Sequence, residues 1–389
     1  MFIFLLFIIS PFWAIIIYTI WIWNTDEQFS HKIWTLAILL SLYVSILGST
    51  KELAGDFLDY HDAFCSVQNF GFTEFLLSYG KEPLFRAYMF VAYYIFGGHW
   101  KLFVFSFTFI NYILLSYAII QIAKKINANI NIPILALYFM VFFFQELAAS
   151  GNAVRQCLAQ SFSVVFFVSL YINNKAKWWV ALCAVCTHTS CLPLLGLGLI
   201  PAINKRISFT SALKLLIPLL LLIAIFYFIA DLFKNVPFVD YIFRRASNSE
   251  QLLGQDSWQV SVGLTYEMII LLMILSYMVF MIYLTMKKRD TDKVISMVNL
   301  NIILILFLII CHAIGAYYLL MRYTFYLFAF QNVLLVIYIN KSKIMHNEIA
   351  KFAFMVAMVL YFFYNITHNI FSYAPLGEII FYPAPLLLF

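Results

Sequence analysis

Apolar runs of roughly the length that crosses a bilayer recur from one end of this chain to the other. They leave little freedom over what it can fold into. Where no water reaches the backbone, each peptide group must be satisfied inside its own segment, as a helix does. Charged residues make up only 11% of the chain, and 64% is hydrophobic. A soluble domain carries about a quarter charged residues. The sequence therefore predicts an all-α polytopic membrane protein of roughly 11–13 transmembrane helices, short broken helices among them. It reads as one transmembrane domain over residues 1–389.

The predicted spans are 2–23, 33–49, 83–98, 101–123, 133–147, 153–172, 178–202, 212–230, 263–286, 294–318, 322–340 and 352–372. The first is too long for a signal-peptide core, and Trp21 and Trp23 suit an interfacial anchor. Thirteen Lys and Arg but only three acids fall in the connectors 124–131, 173–177, 204–206, 287–293 and 341–351, which the positive-inside rule places in the cytoplasm. The same rule accounts for the net charge of +6 without any nucleic-acid partner. The alternate connectors, 145–155, 231–262 and the stretch around 319–322, then face outward with the tail 373–389, and the acidic segment 50–82 reads as an outward loop on chemical grounds. One conflict stays open: either 69–80 re-enters the membrane or Lys124 and Lys125 depart from the rule. In 178–202, Thr187-His188-Thr189-Ser190 and Pro193 interrupt the apolar run, which predicts two short helices meeting at a polar tip. Cys183 and Cys186 form a C-x-x-C within an apolar run and read as packing residues. No metal ligand set and no cofactor is expected.

In so oily a chain, each isolated charge needs a partner. Arg155 opens a predicted helix after Gly151-Asn152, where free backbone N–H groups already favour an anion and a guanidinium adds a bidentate grip on phosphate. Gln156 and Gln160 follow on the same helix. Arg322 stands alone in an apolar run and needs a cavity, headgroup or partner. Arg244 and Arg245 offer a second anion site or a solvated face. Acids gather in 50–82. Asp56 and Asp59 are three apart, so a helix would place them on one face. Glu82 precedes Pro83, a helix-start signal that keeps a carboxylate ionised at the positive end of the dipole. His188 at the broken tip suits a base or a phosphate donor. The bland readings are a snorkelling Arg155, a satisfied core His188 and solvated acids.

These residues stand in segments that resemble the EpsG-like family of bacterial polysaccharide polymerases of the Wzy type. Gly55-Asp56-Phe57-Leu58-Asp59-Tyr60 is similar to its Gly-Asp-aromatic-x-x-Tyr segment. Glu82-Pro83-Leu84-Phe85 resembles its Glu-Pro-Gly-Phe-like helix start, with Leu84 in place of a small residue. Asn152 to Ala159 resembles its Arg-Gln-x-x-Ala segment, His188-Thr189-Ser190 its His-x-Ser, and Arg322-Tyr323 its late Arg before aromatics. The resemblance spans about 50–330. It implies an enzyme of the bacterial inner membrane that joins undecaprenyl-diphosphate-linked oligosaccharide units into O-antigen, capsule or exopolysaccharide on the outer face. It also implies the architecture of membrane glycosyltransferases with lipid-linked donors, and partners that include a chain-length regulator and a flippase. A diphosphate is a good leaving group, so the chemistry asks for a base and for cations. Asp56, Glu82 or His188 suits the first role; Arg155, Arg322 and Gln156 suit the second, with Asp59, Tyr60, Arg86, Arg244 and Arg245 as secondary candidates. The same residues would serve a glycosyltransferase using a polyprenyl-monophosphate sugar. A lipid-linked-sugar flippase would need an internal repeat, which the sequence lacks. A membrane O-acyltransferase would rest on His188 alone.

Overall fold

The structure is a computed structural model that describes residues 2–23, 31–78, 82–204, 294–313, 317–342, 344–368 and 373–388. Among them there is no β-strand, and the protein is all-α. Among the described residues, five helices are long and apolar enough to cross a membrane: His31–Ser49, Trp100–Lys125, Val154–Ile172, Arg322–Lys341 and Glu348–His368. The predicted spans 212–230 and 263–286, the loop 231–262 and Arg244 and Arg245 lie outside the described residues. Two compact units emerge, Met1–Cys191 with Asn332–Phe389, and Leu192–Gln331.

In the first unit the helices are α1 (Phe2–Ile9), α2 (Pro11–Trp23), α3 (His31–Ser49), α4 (Asp56–Ser66), α5 (Phe72–Ser78), α6 (Pro83–Ile95), α7 (Trp100–Lys125), α8 (Asn131–Phe142), α9 (Phe144–Asn152), α10 (Val154–Phe167, continued by a π turn to Ile172) and α11 (Trp178–Thr187). The predicted span 2–23 is two helices, divided between Ile9 and Pro11, because proline has no N–H to continue the ladder. Helix α3 packs along α7, and α10 along both α7 and α11. The α3–α7 approach is close at Gly48, where a Cβ would stand 3.1 Å from Thr108 Oγ1. Polar side chains tie the buried faces: Ser161 Oγ on α10 donates to Asn111 Oδ1 on α7, and Thr19 and Tyr138 share a 2.7 Å hydrogen bond between α2 and α8. Helix Glu348–His368 turns Phe352, Leu360 and Tyr364 outward, apolar surface that suits a lipid-facing helix.

The acidic segment is helical over most of 56–78. Phe57, Tyr60 and Phe64 recur at helical spacing and are buried, while Asp56, Asp59 and Asp62 are exposed. That amphipathic pattern makes α4, and α5 follows it. Their aromatic residues join Phe85 and Met89 of α6, Phe103 and Phe107 of α7, and Val154 and Leu158 of α10 in one core. This core fixes α4, α6 and α10 around the site below.

The second unit is held by side-chain to main-chain and amide bonds. Asn299 Nδ2 donates to Ile203 O at 2.7 Å, Ser296 Oγ to Asn204 Oδ1 at 2.8 Å, and Gln331 Nε2 to Asn301 Oδ1 at 2.8 Å. Helix Tyr317–Lys341 starts earlier than the predicted span at 322, so Arg322 lies inside a helix rather than in a connector at 319–322.

Gly48→Val should force α3 from α7 and lower the thermal unfolding midpoint in detergent, a loss of about 1–3 kcal/mol typical of overpacking; Gly48→Ala should cost clearly less. An unchanged midpoint for Gly48→Val would show that the two helices do not depend on this approach.

Candidate functional site

Helix ends bring the site together. Helix α10 begins after a break at Ala153 (φ −122°, ψ 48°), which puts Arg155 in its first turn. Helix α6 begins at Pro83, which leaves Glu82 as its N-cap. Glu82 adopts φ 55°, ψ 61°, a left-handed conformation that is costly for a non-glycine residue and disfavoured again by the proline that follows. Such strain persists only where surrounding contacts fix it. Helix α11 stops at Thr187, and extended backbone at His188 (φ −159°, ψ 124°) leads into a 3-10 turn, Thr189–Cys191. The break of 178–202 therefore falls within the predicted stretch Thr187 to Ser190.

The three side chains meet. Arg155 Nη1 donates to Glu82 Oε2, and His188 Nε2 lies 3.5 Å from Glu82 Oε1. Arg155 Nε donates to Tyr60 Oη at 2.9 Å, and the guanidinium carbon lies 5.3 Å from the centre of the Tyr60 ring. The side chains of Arg155 and Glu82 are 15% and 8% exposed, so the pair is largely out of water. Breaking such a pair by removing one partner costs about 3–5 kcal/mol, because the other charge is stranded. Burial raises the Tyr60 phenol above its ordinary range against the pull of Arg155, so it keeps its proton and can still donate while it accepts from Nε.

A backbone contact sets the His188 tautomer. The Ser190 N–H donates to Nδ1 at 3.1 Å. A backbone amide can only donate, so Nδ1 carries no proton and the neutral ring is protonated at Nε2. The edge turned to Glu82 is therefore a donor.

The other candidates of the first unit take no part in these contacts. Asp56 and Asp59 are exposed on α4. Asp56 begins that helix after Gly55 (φ 54°), close enough for its charge to act on Tyr60 and Lys51. Gln156 is buried next to Arg155. Arg86, one turn into α6, lies with its guanidinium 5.7 Å from the Phe75 ring of α5. Arg322 is half-buried in the other unit. Tyr60, a secondary candidate from sequence, supplies two of Arg155's contacts. Its signal was its place three residues after Phe57, on the inner face of α4.

A profile of the EpsG family matches residues 32–376, which takes in Tyr60, Glu82, Arg155 and His188. No curated protein and no solved structure matches the chain. The chain is a multi-pass membrane protein and belongs to the EpsG family of membrane polysaccharide polymerases.

Proposed function

We propose that this polymerase joins undecaprenyl-diphosphate-linked oligosaccharide units at the outer face of the bacterial inner membrane, and that Arg155, Glu82, His188 and Tyr60 form its reaction centre. The observation that carries this reading is the convergence of a guanidinium, a carboxylate and an imidazole N–H at three helix ends far apart in sequence. Structural packing alone gives little reason to place a strained carboxylate there.

The chemistry follows from exchange of partners. A diphosphate is a stronger bidentate ligand for a guanidinium than a single carboxylate oxygen. When the lipid diphosphate binds, Arg155 passes from Glu82 to the phosphate oxygens, with Tyr60 holding Nε in place. Glu82 is then released beside the reacting groups as the base. The acceptor sugar's hydroxyl oxygen attacks the anomeric carbon of the donor. The bond from that carbon to the phosphate oxygen breaks, its electron pair leaves with the undecaprenyl diphosphate, and the hydroxyl proton passes to Glu82. Arg155 and the His188 Nε2–H stabilise the charge that develops on the departing diphosphate. Of the three residues suited to the base, Glu82 is favoured because His188 presents a donor and Asp56 is exposed. The reaction as drawn routes no step through a metal or cofactor.

Reconstitution with lipid-linked repeat units tests this reading, with products resolved on a gel. Arg155→Ala should leave only unreacted single-repeat substrate and no ladder. Glu82→Gln should also abolish the ladder, yet bind a lipid diphosphate at least as tightly as wild type, because a competitor for Arg155 is gone. A normal ladder from either variant would overturn the assignment of that residue. Arg155→Lys, which keeps the charge but loses the planar fork, should lower the rate about tenfold or more. A rate close to wild type would reduce Arg155 to a point charge.

A further inference from the structure

Lys51 was not a candidate from sequence, yet its surroundings match those of Arg155. It follows α3 and precedes α4, and its side chain is 5% exposed. Its ammonium lies 4.8 Å from the centre of the Phe57 ring. Phe57 and Tyr60 are three residues apart on α4, so their rings are neighbours on one helix face. Two cations thus sit on two adjacent rings of the same helix, Lys51 on Phe57 and Arg155 on Tyr60.

The backbone of α9 is cut back to admit this ammonium. A Cβ at Gly151 would stand 2.8 Å from Lys51 Cδ and 3.0 Å from Nζ. Gly151 is also four residues before Arg155, so one short stretch of chain both accommodates the first cation and carries the second. Asp56 is the acid whose charge reaches Lys51, but desolvation outweighs it and pushes the ammonium down to about 8. An incoming anion at this place would add to Asp56 in favouring the charged form of the buried ammonium.

We infer that Lys51 is the second cation of the lipid-diphosphate site: Arg155 holds one phosphate and Lys51 the other, along the ring pair Phe57 and Tyr60. The inference rests on the reading of Arg155 as a phosphate-binding residue. It adds that this protein discriminates diphosphate from monophosphate lipids, and that Lys51 is where it does so. The competing structural role is a plain one. Lys51 lies at the C-terminal end of α9, where any cation is favoured by the helix dipole. Such a role would not distinguish one phosphate from two.

The test measures affinity of the full chain in nanodiscs for two probes, farnesyl diphosphate and farnesyl monophosphate. Wild type should prefer the diphosphate by about tenfold or more, the scale of one charge-assisted contact. Lys51→Met should bring the diphosphate down to the monophosphate level while leaving monophosphate affinity unchanged; Lys51→Arg should restore the preference. Gly151→Ala leaves Lys51 in the chain but displaces its flexible end, so it should lose the same preference even if Lys51→Met does not fold. Arg155→Ala should weaken both probes. A full diphosphate preference retained by Lys51→Met or by Gly151→Ala overturns the role of Lys51 and leaves that of Arg155 standing. Unchanged binding of both probes by Arg155→Ala, or no binding by wild type, overturns the reading of Arg155 and the Lys51 inference with it.

Discussion

The ion pair between Glu82 and Arg155 holds the described site together. Neither group is stable alone in surroundings this dry, and each is delivered by a different helix, α6 and α10. The pair therefore fixes where two helix starts lie relative to each other. Tyr60 extends the constraint to α4 through a hydrogen bond and a ring face, and His188 extends it to the break after α11. The strained backbone of Glu82 fits this picture. Its left-handed turn before Pro83 is held because the carboxylate has somewhere specific to go.

Interrupted helices are the means by which an apolar bundle presents polar groups. Ala153, Glu82 and His188 each mark a place where regular helix stops, and each break exposes backbone and side-chain donors that an uninterrupted span would bury in its own ladder. Elsewhere in the first unit, polar residues bind one another across packed faces, as Ser161 does with Asn111 and Asn332 Nδ2 with Glu146 Oε2 at 3.3 Å. Those contacts join helices. The cluster at Arg155 differs in pairing full charges at helix ends.

Much of this was legible in the residues. The apolar runs marked His31–Ser49, Trp100–Lys125 and Glu348–His368 to within a few positions. Glu82-Pro83 marked a helix start and Thr187 to Ser190 a break, whereas the predicted connector 145–155 is mostly helix α9, so Gly151 and Asn152 close one helix and only the break at Ala153 precedes α10. The meeting of Arg155 with Glu82, 73 residues away, and with Tyr60, 95 away, was not legible, because spacing within a helix says nothing about which helices pack. Helix α4 was half visible. The acids drew attention as a polar connector, whereas the burial that decides its structure comes from Phe57, Tyr60 and Phe64 between them. Lys51 gave no signal on its own, since only the close approach of α9 at Gly151 shows why its ammonium is placed there. Arg322 was set at the edge of a connector around 319–322, but the helix begins at Tyr317 and carries it inside.

Exchange of partners at Arg155 is the centre of the proposed mechanism, and a cryo-electron microscopy structure of the protein with a lipid diphosphate bound would test it directly. Arg155 should then hold phosphate oxygens at hydrogen-bond distance while keeping Tyr60, with the Glu82 carboxylate withdrawn from the guanidinium and open to an acceptor hydroxyl. A lipid diphosphate bound elsewhere, with Arg155 still closed on Glu82, would contradict it.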